Sequence, residues 1–386
     1  MLLEVKTDVK SLIDVCKDYW QLNDQGSFTY TVREIADKHS MEAHVVSNLV
    51  SKHAYVSFED ICCGSCQVPY HLTSRSEYKS RNLYTDTICQ TCSDAEKQAL
   101  INKKLSIIES IKSAVLSDQK DTQQLTLKDI VFLASAIQAL GHDNLSQLTS
   151  LADNPSCTLS PESASDRMIL RHLIDQRLSW ISGSTPLTSI RIQDDDVFNL
   201  DLANCCLEIP FQSSDLMILI DKFSIEKYQK EFKQSEEFFH VCSEVQLFEC
   251  LAFLKYTLSE HQLHFSPGDK TQLAMSQCLR YFSIAQTYSL IWRAVKDSAA
   301  YYMRGGIGKR QAANSVVGNI SRNMEKALAN NWDVMPFRRN YKLPQSTISQ
   351  LLFNTVLGTD DGGFHYKLSD LKSLDSDIST QPLASR

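Results

Sequence analysis

Apolar positions recur mostly at helical spacing along this chain. Between residues 2 and 22, Leu3, Val5, Val9, Leu12, Ile13, Val15, Cys16 and Tyr19 follow a period near 3.6, which predicts an amphipathic helix. After a break at Gly26 the helical pattern returns through residues 30–58. A further helix is expected from about Asp94 to Leu116, with Ser93 as its N-cap and Glu96 three residues later. Beyond a polar linker at 117–124, LTLKDIVFLASAIQALG reads as a helix capped by Gly141. Residues 142–166, rich in Ser, Asn, Asp and Pro, suggest a domain boundary, and a helix follows at about 163–181. The period then changes to two. TSIRIQ, VFNLDLA and LEIPF, within 187–211, predict short strands with Asp194, Asp195 and Asp196 at the first turn. From Ser213 to about Asn331 helices resume, with turns at Ser266-Pro267-Gly268 and Gly305-Gly306. The end beyond Gly358 reads as a fraying tail.

Composition supports a mainly α protein. The chain has 386 residues with only 12 Gly and 9 Pro, about half the usual share of each. The patterns divide it into a helical N-terminal domain (1–58), a cysteine-rich module (59–95), a helical linker domain (96–155), a helix with a small β element (156–212), a helical domain (213–358) and the tail (359–386). No stretch of about 18 uncharged apolar residues occurs, so no membrane span is expected. The opening MLLEVKTDVK is charged from Glu4 onward, which argues against a secretory leader and for a cytoplasmic address. A net charge of −7 argues against a protein that coats nucleic acid over its whole surface, though not against a local basic patch.

In a reducing compartment, twelve cysteines call for a metal before disulfides. CCGSC at 62–66 and CQTC at 89–92 supply two Cys-x-x-Cys pairs, and Cys63, Cys66, Cys89 and Cys92 can occupy the corners of one zinc tetrahedron. Gly64 would relieve the first tight turn; Cys62 is an alternative to Cys63, and His71 a spare ligand. Four protein ligands leave no open position, so the zinc would be structural. The segment resembles a zinc-ribbon or treble-clef module, over about residues 60–95 only.

Residues 32–50 resemble the helix-turn-helix family pattern. Ile35 and Ala36 would face inward, Ser40 would take the tight turn, and Val46 and Leu49 would anchor the second helix. That resemblance implies a (winged) helix-turn-helix whose second helix presents His44, Asn48 and Lys52 to nucleic acid. The charges of this segment cancel: Arg33, Lys38 and Lys52 oppose Glu34, Asp37 and Glu42. Arg75, Lys79 and Arg81, between the cysteine pairs, would supply the missing attraction to phosphate.

Polarity reverses near the other end. Between Arg304 and Lys342 eight basic residues face two acidic ones, and RGGIGKR presents Arg304, Lys309 and Arg310 around glycines, though not in a Walker A arrangement. LPQSTISQLL at 343–352 has the sound of a second recognition helix. Arg167 and His172 fit an Arg-x4-His spacing that resembles the motif of HEPN-type ribonucleases, in which Arg would stabilise charge and His would transfer a proton. The expected protein is thus a zinc-containing nucleic-acid binder, of DNA more than RNA. It would act as a regulator or as the recognition subunit of a bacterial, phage or mobile-element complex, with homo-oligomers or larger assemblies open. A defence-type nuclease and a protein-interaction scaffold are the alternatives.

Overall fold

The computed structural model describes residues 1–59, 61–81, 87–141, 144–156, 158–194, 197–263 and 265–373. It is mainly helical with a few small sheets, and it divides into two compact units, Met1–Lys103 and Lys104–Arg386. Among the described residues no helix is long and apolar enough to cross a membrane.

The N-terminal unit begins with strand β1 (Leu2–Val5), not with the helix that the periodicity of residues 2–22 suggests. β1 pairs antiparallel with β2 (Ala54–Ser57), Leu3 opposite Val56 and Val5 opposite Ala54. A partner fifty residues away decides this, because LLEV fits a strand's alternation as well as a helix's. Helix α1 (Lys10–Trp20) follows, then α2 (Val32–Lys38), opened by a capping box between Thr31 and Glu34, and α3 (Ala43–His53). Val15, Trp20, Ile35, Ala36, Val46 and Val50 close a core between these helices. Val50 is fully buried, whereas Leu49, expected as the anchor, is half-buried at its side.

The α2–α3 turn is tight. Ser40 takes a left-handed φ of 53°, Met41 N–H donates to Ala36 O (2.9 Å), and Ser40 N–H donates to Asp37 O (3.3 Å). This 6→1 plus 5→2 pair is the Schellman closure, which glycine normally occupies.

Short helix α4 (Arg75–Lys79) and the first part of α5 (Gln90–Ser117) complete the unit. α5 starts before the expected Ser93 cap, because Cys89 supplies a cap of its own: its Sγ accepts from Cys92 N–H at 3.4 Å.

The C-terminal unit contains the rest of α5, α6 (Leu127–Leu140), β3 (Gln147–Leu148), α7 (Ser163–Asp175), β4 (Trp180–Ile181), β5 (Ile190–Asp194), β6 (Val197–Leu200) and β7 (Leu207–Glu208). It continues with α8 (Ser213–Asp221), α9 (Glu226–Lys233), α10 (Glu236–Glu260), α11 (Asp269–Tyr281), α12 (Ile284–Met303) and α13 (Lys309–Ala329). β5 and β6 form the expected hairpin, and its turn residues Asp195 and Asp196 lie outside the described residues. β7 instead pairs with β3 and β4, two-residue strands too short to leave a periodic signal. Gly141 caps α6 in an extended conformation; a Cβ there would lie 2.3 Å from Ile137 O, so close approach rather than left-handed φ requires the glycine.

One core runs from Ile108 to Leu371 and joins α6, α7, α8 and the first half of α10, so the boundary expected near 142–166 falls inside a single unit. A second core packs the rest of α10 against α11, α12 and α13. α10, apolar on most faces and about 38 Å long, passes through both. The 343–352 segment belongs to this interior: α14 (Thr347–Ser349) runs into a π-helical stretch (Gln350–Val356), and Ile348, Leu352 and Phe353 are buried. Part of the expected tail is built in as well. Phe364 is buried, Asp361 pairs with Arg339, and α15 (Leu368–Ser373) contributes Leu371 to the core, while residues 374–386 lie outside the described residues.

Candidate metal centre and neighbouring surfaces

The first knuckle forms where the chain leaves β2. Cys63 N–H donates to Val68 O (3.0 Å) and Gln67 N–H returns to Cys63 O (3.0 Å), which curls residues 63–67 into a compact loop. The left-handed residue is Gln67 (φ 60°), after the second cysteine, rather than Gly64 between the two. Gly64 N–H reaches Thr87 O at 2.9 Å and so ties this loop to the approach of the second pair. That second pair sits on the N-terminus of α5, Cys89 at the cap and Cys92 in the first turn. Free backbone N–H groups and the helix dipole favour negative charge at such a place.

The Sγ atoms of Cys63, Cys66, Cys89 and Cys92 all lie within 4.8 Å of one another. Cys66 Sγ and Cys89 Sγ are 3.8 Å apart. A tetrahedral ion with metal–sulfur bonds of about 2.3 Å requires sulfur–sulfur edges of about 3.8 Å. Cys63 Sγ accepts from Cys89 N–H (3.2 Å) and Ser65 N–H (3.4 Å), and these amide donors draw its pKa down to about 6. The Cys66 and Cys89 sulfurs crowd Cys92 and push its pKa up to about 12. Four thiolates so close cannot all carry charge unless a cation neutralises them. The cluster can therefore hold a metal ion, and a closed four-sulfur shell leaves no position for a substrate.

Neither sequence alternative takes part. Cys62 Sγ turns away to Glu59 O (3.2 Å), and the His71 ring stacks on Tyr55 with centroids 3.9 Å apart. Of the remaining cysteines, Cys205, Cys242 and Cys250 are buried among apolar side chains.

The α3 residues share an outward face. His44, Asn48 and Lys52 are exposed at a spacing of four, about one turn each, and His44 lies 3.1 Å from Glu42. Lys79 is exposed too. Arg75 is not available in the same way. Its Nε donates to Tyr19 O (3.0 Å), its Nη1 donates to Tyr30 O (2.7 Å), and its guanidinium lies between the rings of Tyr19 and Phe28. Arg81 stacks on Tyr78 and donates to Tyr78 O (3.0 Å). Of the three cations expected to ride on phosphate, Arg75 thus fastens α4 to its own unit, and Arg81 folds back onto Tyr78 of α4.

In the C-terminal unit, Arg304, Lys309 and Arg310 are exposed around the α12–α13 turn, where Gly305 (φ 80°) and Gly306 (φ 88°) are left-handed. Arg167 and His172 share α7 but point apart, since five residues rotate a helix by about 140°. Arg167 is exposed, whereas His172 Nε2 lies 2.7 Å from the buried carboxylate of Asp129 and the ring meets Phe132 edge-on. Within one chain the pair faces no common point, and His172 has the contacts of a packing residue. Three exposed rings, Trp292, Trp332 and Tyr341, lie outside the residues that the sequence patterns single out. The signal for Trp332 and Tyr341 was the alternation of aromatic and basic residues in WDVMPFRRNYK, residues 332–342, whereas Trp292 lies apart from it in α12.

Compared with known proteins, the chain matches no family model, no curated protein and no solved structure.

Proposed function

We propose that the N-terminal unit is a zinc-stapled winged helix-turn-helix module that binds nucleic acid, duplex DNA in preference to RNA. The observation that carries this reading is the free outer face of α3. Helices α2 and α3 meet through a closed Schellman turn, Ala36 and Val46 fill the contact, and His44, Asn48 and Lys52 are left exposed along one side. A second helix held this way can enter a major groove, with β1–β2 as the wing beside it. Zinc is the ion that best suits four thiolates on a knuckle and a helix end, an arrangement closer to a treble clef than to a ribbon hairpin. Its role is structural, keeping the two knuckles and α4 folded against the helices. The protein serves as a regulator or recognition subunit rather than as a catalyst.

The local charge sets how such binding would behave. With Arg75 and Arg81 engaged internally, Lys52 and Lys79 are the phosphate contacts, so affinity is modest and the salt slope shallow. Asn48 can pair with adenine through both of its polar atoms. Asn48→Ala is expected to cost roughly 1–3 kcal/mol on a selected duplex and almost nothing on random DNA, whereas Lys52→Ala lowers both. Selection from a random duplex library, followed by titration of the two variants, measures this. A library that enriches no motif would remove sequence-specific readout. Duplex binding that persists without residues 1–103 would remove the N-terminal unit from the interface.

A further inference from the structure

The segment after α13 carries aromatic rings and cations in alternation and lies along α12. Residues 332–340 form neither helix nor strand, yet they are firmly held. Phe337 N–H donates to Ala285 O (2.9 Å), Gln286 Nε2 donates to Val334 O (3.3 Å), and Arg339 pairs with Glu249 at 2.8 Å and Asp361 at 2.6 Å. Two clefts border this strap. One, of about 540 Å³, is walled by Tyr256, Trp292, Phe337 and Tyr341, with Arg338 at its edge. The other, of about 340 Å³, is lined by Arg293, Trp332 and Met335.

The rings are unusually open for a core-forming segment. Trp292 is 39% exposed, Trp332 43% and Tyr341 85%, although Phe253 and Tyr288 beneath them are buried. Each open ring has a cation beside it: Lys296 is 4.7 Å from Trp292, Arg293 is 5.7 Å from Trp332 and Lys342 is 6.0 Å from Tyr341. Arg304 lies twelve residues along α12 from Trp292, about 18 Å, and continues the positive charge toward Lys309 and Arg310. The interspersed acids, fewer than these cations, are Asp297, Asp333 and Glu260, which lies 3.8 Å from Lys342.

We propose that this surface binds single-stranded nucleic acid, stacking bases on Trp292, Trp332 and Tyr341 while Arg293, Lys296, Arg338 and Lys342 meet the phosphates. The proposal rests on the nucleic-acid reading above but assigns a different unit and a different strand state. A duplex hides the faces of its bases inside its own stack, whereas an unpaired strand offers each face to a ring. Cations beside open rings are the combination that sequence-tolerant single-strand binders use, because every base has a π-face and every linkage a charge. The internal anchors mean that the platform is ordered before the strand arrives, which limits the entropy lost on binding.

The test uses the full chain, metal-loaded, in fluorescence-anisotropy titrations. The probes are labelled single strands of about twelve nucleotides, as DNA and as RNA, and a DNA duplex of the same sequence. Trp292→Ala and Tyr341→Ala are each expected to weaken single-strand binding roughly 5- to 150-fold, leave duplex binding unchanged and leave the melting curve intact. Trp292→Phe keeps a ring and is expected to stay near wild type. Arg338→Ala, an exposed position, is expected to lower single-strand affinity and flatten its salt dependence. Duplex binding without single-strand binding would overturn this inference and leave the N-terminal reading standing. Failure to bind any probe would remove both. Alanine variants that bind single strands like wild type, or that lose duplex and single strand equally, would also overturn the stacking platform.

Discussion

The C-terminal unit passes α10 through two extensive apolar cores and keeps its charged contacts for the places where segments meet. The N-terminal unit has one core cluster of twelve buried side chains among its described residues, to which the stretch from 59 to 92 gives Leu72 and Tyr78, with Ile61 and Cys63 buried outside it. That stretch cannot bury enough apolar surface to offset the entropy of ordering its backbone. Its order comes from other sources: amide-to-sulfur hydrogen bonds, the Arg75 guanidinium between two rings, and four thiols placed for a cation. One unit is therefore held by packing, and the other adds to its packing a four-thiol cluster placed for a cation, so they should respond differently to the same treatments.

The sharpest separation comes from removing the ligands. Cys89→Ser with Cys92→Ser is expected to abolish hydrogen-exchange protection across residues 61–81 and 87–92 and loosen α4, while amides of α10, α12 and α13 keep theirs. Acid should act on the same unit first. Metal ligation requires thiolates, so protons compete with the ion for the sulfurs of Cys63, Cys66, Cys89 and Cys92 as pH falls. Uniform loss of protection in both units would mean that they are not independent.

The mirror experiment breaks the C-terminal unit and spares the other. Glu249 is 2% exposed and lies between the two cores on α10, and Arg339 is its partner at 2.8 Å. Arg339→Met strands a buried carboxylate and is expected to cost about 3–5 kcal/mol in urea unfolding at neutral pH. Burial already pushes the Glu249 pKa up, and loss of Arg339 removes an opposing influence. A carboxyl with a raised folded pKa costs stability above that value and recovers it on protonation, so the penalty should shrink as pH falls. Adding Glu249→Gln should restore much of the loss at neutral pH. The smallest expected effect is a gain: Ser40→Gly relieves a left-handed serine and should stabilise the N-terminal unit by roughly 0.5–1 kcal/mol. Loss of stability there would mean that the Ser40 side chain has a role its φ does not show.

The same contrast explains what the sequence revealed. Long periodic helices such as α6 and α12 are legible because an apolar stripe records burial on a regular surface. The β5–β6 hairpin is legible for the same reason at period two. β1 was misread because its partner, β2, lies about fifty residues away, and β3 and β4 are too short to carry any period. The cysteine pairs stood out because ligand geometry constrains spacing within each knuckle. Arg75 looked like a surface cation because nothing local announces that Tyr19 and Phe28 will enclose it. His172 likewise gave no sign of Asp129, forty-three residues earlier on another helix.

The central claim, a structural zinc ion confined to the N-terminal unit, is most directly tested by elemental analysis of the protein purified without chelators. About one zinc per chain is expected in the wild type and none in the Cys89→Ser, Cys92→Ser variant. Wild-type protein that contains no metal, or a variant that keeps its zinc, would contradict it.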